Sequence, residues 1–179
     1  MNTGLIPMRY ATALFDYAKS NGEEKTLYGI AGVLLANMRK HDRIQTMLEN
    51  PAISLDQKSD IIKKAAGTES NIVFNRFLEL IFTNQREALL YRILTRYMSL
   101  YRTRNNIFSG KLITAAEIDS KTANDLTRII EKRNQGVLEM EQIVQPDLIG
   151  GFVLEMNNIR LDASVKSRLQ QIKNELSTK

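Results

Sequence analysis

Chemistry needs reactive side chains that orient one another, and this sequence offers few. Its single histidine, His41, stands between Lys40 and Asp42. A histidine acts as a base or a ligand when a second group holds its ring; in a polar turn among charged neighbours it reads as an ordinary surface residue. Cysteine is absent, which removes thiolate nucleophiles, disulfides and thiolate metal sites. No set of His and carboxylate residues recurs at metal-ligand spacing. No glycine-rich loop leads into Lys-Ser or Lys-Thr, so the chain has no P-loop. Gly150-Gly151 lacks the third glycine and the following helix of a dinucleotide fingerprint, and reads as a bulge or packing device. The sequence therefore assigns no catalytic residue, no cofactor-binding residue and no metal ligand.

The elements that could hold a site are of two kinds. Before Asn106 the apolar period is helical throughout. Helices are expected over 7–20, with Pro7 at the first position and Asn21-Gly22 as a left-handed stop; over 23–40, with Leu27, Ile30, Ala31, Leu34, Leu35 and Met38 inward; and over about 42–49. Ser54-Leu55-Asp56-Gln57 is a capping box opening a helix that Gly67 closes. Ser70 is expected to start the next, to about Asn84, and the last runs from 86 to about 104. Six helices with short connections predict a bundle.

After Asn106 the period shortens. Ile107 to Ala116 and Val137 to Gln145 read as strands, separated by a helix capped by Asp119 with Ala123, Leu126, Ile129 and Ile130 inward. Gln145-Pro146-Asp147 breaks the chain, and Gly150-Gly151 enters an apolar strand over Phe152 to Met156. Asn157-Asn158 suits a hairpin turn, and Asp162 or Ser164 a helix cap. The closing helix is expected to bury Val165, Leu169, Ile172 and Leu176, spaced four, three and four. The fold class is thus an α-helical N-terminal six-helix bundle plus a small α+β C-terminal domain, bounded as 1–105 and 106–179.

The 179 residues suffice for one or two domains with a real core. The net charge is +5, and all of it lies in residues 1–105, which carry fifteen Lys or Arg and ten Asp or Glu. Basic residues are interleaved with acidic ones, so a solvated helical surface is the plain account. The alternative is a basic helical nucleic-acid-binding protein; an enzyme of unrecognised type is a third. No apolar run approaches the roughly 18 residues of a membrane span. The opening Met1-Asn2-Thr3-Gly4 shows neither a secretory signal nor an Arg-rich transit peptide, which favours a bacterial cytoplasmic protein.

The helix-period half carries surplus apolar side chains. Tyr10, Ala13, Leu14 and Tyr17 on the first helix, and Phe74, Leu78 and Ile81 on the fifth, exceed what one core face needs. Either both helices are central, or a second face awaits a partner.

Three stretches carry a resemblance. Met8-Arg9-Tyr10-Ala11-Thr12-Ala13-Leu14-Phe15, Asn84-Gln85-Arg86-Glu87-Ala88-Leu89-Leu90, and Pro146-Asp147-Leu148-Ile149-Gly150-Gly151-Phe152 followed by Asp162-Ala163-Ser164-Val165-Lys166 resemble the F-type ATP synthase delta subunit, or oligomycin-sensitivity-conferral protein, family. They stand in the family's order and span most of the chain. Gln85 and Ala163 stand where the family usually has glycine.

The resemblance implies a non-catalytic peripheral-stalk subunit that joins the F1 head to the stalk and lets rotation drive ATP synthesis. It implies that residues 1–105 grip an N-terminal helix of an alpha subunit through the first and fifth helices. Tyr10, Ala13, Leu14, Leu27, Phe74, Leu78 and Ile81 would line or support that groove. Residues 106–179 would hold the stalk b subunits, with Pro146, Asp147, Gly150, Gly151, Asp162 and Ser164 as structural signature. No cofactor, nucleic acid or membrane insertion is implied. The protein would be a monomer alone, and within the complex would sit at the cytoplasmic face of the bacterial plasma membrane.

Overall fold

The computed structural model describes residues 4–68, 70–156 and 159–177. The helices are α1 (Leu5–Ser20), α2 (Glu24–Lys40), α3 (Arg43–Glu49), α4 (Leu55–Ala66), α5 (Ile72–Thr83), α6 (Leu90–Arg104), α7 (Ser120–Asn134) and α8 (Val165–Ser177). The strands are β1 (Ile107–Thr114), β2 (Val137–Val144), β3 (Phe152–Met156) and β4 (Ile159–Asp162). The chain divides into two compact units, Met1–Arg102 and Thr103–Lys179. That division falls in the last turn of α6, a few residues before 105/106.

In the first unit, local signals and packing agree. Ser54 accepts the Gln57 amide and Gln57 reaches back to Ser54, closing the box that starts α4. α2 buries Leu27, Ile30, Ala31, Leu34, Leu35 and Met38 along one stripe. The Tyr97 hydroxyl donates to the Glu24 carbonyl at 2.9 Å, and Asn37 Nδ2 donates to the Ala65 carbonyl at 2.7 Å. These bonds fix α6 and α4 to α2. Burial, with the nearby Tyr101 and Glu24 charges adding to it, pushes the Tyr97 phenol far above its usual range. Lys58 is only 2% exposed. Its ammonium donates to the Leu48 carbonyl at the end of α3 (2.7 Å) and pairs with Glu87 (3.2 Å). A buried cation persists only when so partnered.

Three boundaries differ from expectation. α1 starts at Leu5, so Pro7 is its third residue, still in the turn where an absent N–H costs nothing. Asn71, not Ser70, caps α5, because Asn71 Oδ1 accepts the Phe74 amide at 2.8 Å. A 3-10 turn, Glu87–Leu89, precedes α6.

The second unit is a four-stranded sheet in the order β2-β1-β3-β4. β1 and β2 are parallel through α7, and the other pairs are antiparallel. Asp119 caps α7 by accepting the Thr122 amide. The expected turn at Asn157-Asn158 lies outside the described residues. Ile129 is exposed rather than inward, since α7 turns Ala123 to the buried side.

The larger departure is α8. Val165, Leu169 and Ile172 are 40%, 52% and 48% exposed rather than buried; the side chain of Leu176 lies outside the described residues. The reason is the helix's rotation. Lys166, Ser167 and Gln170 line a cavity of about 310 Å³ together with the sheet residues Ile113, Val153, Arg160 and Asp162. At about 100° per residue, that polar side leaves the apolar stripe pointing away from the sheet.

Two substitutions follow. A β-carbon on Gly151, at φ +73, would sit 2.2 Å from the Ala163 carbonyl oxygen, and that backbone cannot give way without breaking the Ala163-to-Phe152 hydrogen bond of 2.9 Å. Gly151→Val is expected to cost on the order of 3 kcal/mol, read as a lowered denaturation midpoint. Gln85 ends α5 at φ +53, with its amide on the Phe82 carbonyl and that of Arg86 on the Ile81 carbonyl. A left-handed side chain costs about 1–2 kcal/mol, and glycine's extra freedom about 0.5–1 kcal/mol. Gln85→Gly should therefore stabilise by about 0.5–1 kcal/mol in urea melts, whereas Gln85→Val should destabilise.

Candidate functional site

Among the described residues, no group of three or more His, Cys, Asp or Glu could hold a metal ion. His41 caps the end of α2 through its own amide, on the Asn37 carbonyl at 2.9 Å, and its side chain is exposed. The surface features that can do work are apolar rows, not reactive clusters.

The seven residues expected at the α1–α5 groove separate by depth. Leu14, Leu27, Phe74, Leu78 and Ile81 are core residues with almost no exposed surface. They can support a partner site but cannot touch a partner. Tyr10 is half-buried and Ala13 is exposed. The apolar surplus of α5 is thus largely absorbed by the core, which also takes Val73, Phe77 and Phe82.

What remains at the surface is a seam. Tyr10, Ala13 and Tyr17 are spaced three and four, so they share one row of α1. On α5, Arg76 and Leu80 are four apart and share one row, whose inner neighbour Val73 is buried. Arg76 Nη1 donates to the Tyr17 hydroxyl at 2.9 Å, across 59 residues of sequence, which identifies these two rows as the ones that meet. Along the seam Ala13, Arg76 and Leu80 are exposed, Leu80 to 50%. Ala13 leaves room for close approach of a helix. Leu80 offers an apolar contact, and the Tyr17–Arg76 pair offers a fixed polar end. Arg76 and Leu80 were not foreseen from the sequence. The period-three-and-four row on α5 could have shown them, but the heavier apolar stripe beside it hid the signal.

The signature residues of the second unit gather into one knot. Pro146 opens a 3-10 turn, Pro146–Leu148, whose Leu148 is buried, and Asp147 is exposed. Gly151 lies against the Ala163 carbonyl, and the Gly150 carbonyl accepts the Val165 amide at 3.0 Å. Ser164 is buried, and its hydroxyl accepts the Ser167 amide at 3.2 Å, capping α8. Asp162 Oδ1 accepts both the amide (3.0 Å) and the hydroxyl (2.7 Å) of Ser164, and Asp162 Oδ2 accepts the Ser167 hydroxyl at 2.9 Å. The knot fixes where α8 starts. It performs no chemistry.

Residues 6–176 match the family model described as ATP synthase delta (OSCP) subunit. The ATP synthase subunit delta of Bacteroides thetaiotaomicron is 34% identical over 181 residues, covering 100% of this chain and 97% of that protein. The subunit of the same name from Desulforudis audaxviator is 28% identical, covering 98% and 97%. Among solved structures, a chain of the Toxoplasma gondii mitochondrial ATP synthase hexamer, seen by cryo-electron microscopy, superposes with a TM-score of 0.65. It is 21% identical and covers 95% of this chain and 96% of that one, a likeness of fold.

The Asp162 cap predicts an acid limit. Hydrogen bonds from the Ser164 hydroxyl and amide, then from the Ser167 hydroxyl, hold the Asp162 carboxyl below the usual carboxylate range. Its folded pKa therefore lies below the unfolded value of about 3.9. Such a group adds stability above the unfolded pKa and loses it as pH falls through the folded one. Amide exchange at the start of α8 should accelerate as pH drops from about 5 to about 2, beyond the intrinsic trend of an unstructured control peptide. Asp162→Asn should flatten that part of the profile.

Proposed function

The chain belongs to the ATP synthase delta (OSCP) subunit family, and from that premise we propose how its two units share the work. It is a non-catalytic peripheral-stalk subunit, linking the F1 head to the stalk of an ATP synthase complex. No helix among the described residues is long and apolar enough to cross a membrane. Nothing in the family assignment supports a nucleic-acid-binding role.

The first unit, in this proposal, holds the N-terminal helix of an alpha subunit along the α1–α5 seam. The observation that carries it is the Tyr17–Arg76 bond, which brings the exposed Ala13 of one row beside the exposed Arg76 and Leu80 of the other. A helix-in-groove contact needs close backbone approach and a few apolar anchors. Ala13 supplies the first, and Leu80 with Tyr10 supplies the second. Leu14, Leu27, Phe74, Leu78 and Ile81 hold both helices rigid from beneath. The second unit takes the b subunits of the stalk. The protein is a monomer alone and works at the cytoplasmic face of the bacterial plasma membrane.

A peptide copying about 20 residues of the alpha subunit's start, marginally helical alone, should bind and gain helicity, as read by calorimetry and circular dichroism. Ala13→Trp and Leu80→Asp should each weaken binding about tenfold or more, that is, by about 1.4 kcal/mol or more, with melting nearly unchanged because both sites are exposed. No heat with the wild-type chain at hundreds of micromolar peptide would remove the seam from consideration.

A further inference from the structure

The apolar stripe of α8 is a heptad seam without a cover in the structure. Val165, Leu169 and Ile172 are spaced four and three, and Leu176 continues the spacing in the sequence. That is the d-a-d-a order of a coiled coil. The three described residues are about half-exposed, on the side of the helix away from the cavity that Lys166, Ser167 and Gln170 line.

A helix of 13 residues is marginal in water without a packed face. α8 is anchored at its start through the Ser164 cap and the contact of Val165 with Gly150. Ile149, the residue before Gly150, is 68% exposed at φ +67, a backbone conformation that a β-branched residue rarely adopts.

The flanks of the seam carry sign. Position e beside Val165 is Lys166, position g before Leu169 is Arg168, the next e is Lys173 and the next g is Glu175, so three of the four flanking charges are basic. In coiled coils the e and g charges choose the partner. Two copies of α8 set in parallel would oppose Arg168 to Lys173, which disfavours a parallel self-pair.

We propose that α8 is one strand of an intermolecular coiled coil whose partner is a helix with an apolar heptad stripe flanked by acidic residues. The proposal rests on the reading that the second unit holds the stalk, and it names the element and the chemistry of that contact. The partner's apolar a and d residues cover Val165, Leu169 and Ile172. Its acidic e and g residues meet Lys166 and Arg168.

The test uses the full chain and a fluorescent peptide of about four heptads with Leu at a and d and Glu at e and g, beside a twin with Lys at e and g. The acidic peptide should bind and the basic twin should not. Affinity should fall with added salt, since the flanking charges are exposed, and amide exchange should slow along α8. Leu169→Asp should weaken binding at least tenfold. The double change Lys166→Glu and Arg168→Glu, which leaves the stripe intact, should transfer preference to the basic twin. Circular dichroism melts check that each variant is folded.

Equal binding of both peptides, binding indifferent to either variant, or a dimer of the chain broken by Leu169→Asp would overturn the proposal. A soluble segment of the b-subunit helix separates it from the reading beneath. If wild type and Leu169→Asp bind that segment equally, α8 is not the contact and the stalk reading stands. If wild type binds the acidic peptide but not the segment, the seam stands and the stalk reading falls.

Discussion

The buried stripe of α2 is the surface on which the first unit depends. Six side chains from Leu27 to Met38 are withdrawn from water on one helix, and burying each Leu, Ile or Met is worth about 1.5–3 kcal/mol before ordering costs. Polar bonds then fix what that burial draws together. Tyr97 is tied to the Glu24 carbonyl, Asn37 to the Ala65 carbonyl, and Arg39 Nε to the Tyr91 hydroxyl at 3.2 Å. Tyr28 stacks on Tyr101 with ring centroids 4.2 Å apart, and Arg102 Nε donates to the Tyr28 hydroxyl at 2.8 Å. Each such bond is worth about 1 kcal/mol. Their joint effect is positional: they hold α4 and α6 at set rotations about α2, which fixes what the unit presents to solvent.

The second unit has fewer buried side chains and relies more on backbone geometry. Its most demanding feature is the passage of Gly151 beside the Ala163 carbonyl. That approach closes the loop between β3 and the start of α8, and the Asp162–Ser164–Ser167 bonds lock it. Glycine is required at 151 by both torsion and space. The family's usual glycine at 163 is less constrained: Ala163 contributes its backbone carbonyl to the contact, and its side chain is exposed.

Elements with local causes were legible in the sequence. Ser54 and Gln57 cap by short-range bonds, Asp119 likewise, and Gly67 stops α4 at φ +69. A pattern of types at fixed offsets suffices for these. Gln85 shows the limit, since nothing in a glutamine announces φ +53; the family's glycine at that place did. The depth of the groove residues was less legible. Periodicity shows that α1 and α5 are rich in apolar rows, but not which row meets a neighbour and which meets water. Leu14 and Ala13 are adjacent in sequence and fall on opposite sides of that division. The Tyr17–Arg76 bond that settles it joins positions whose approach only the packing of the whole unit determines. For α8, spacing correctly found an apolar stripe. The same spacing serves a core and a coiled-coil seam, so it could not say that the stripe would stay half-exposed.

A subunit that transmits force without chemistry needs rigidity behind its contact surfaces and apolar rows in front of them. The first unit shows that arrangement on α1 and α5, where a row of modest exposure rests on five residues with almost no exposed surface. A partner helix docked there would meet a preformed surface, so little of its binding energy would go to ordering the receiving side. The α8 stripe differs in kind. Leu169 and Ile172 are about half-exposed, so a partner covering them would add to the packing of the helix. Ordering cost would then fall on the binding step, and the two proposed contacts would be of different physical types: one on a surface fixed by folding, the other on a helix further packed by association.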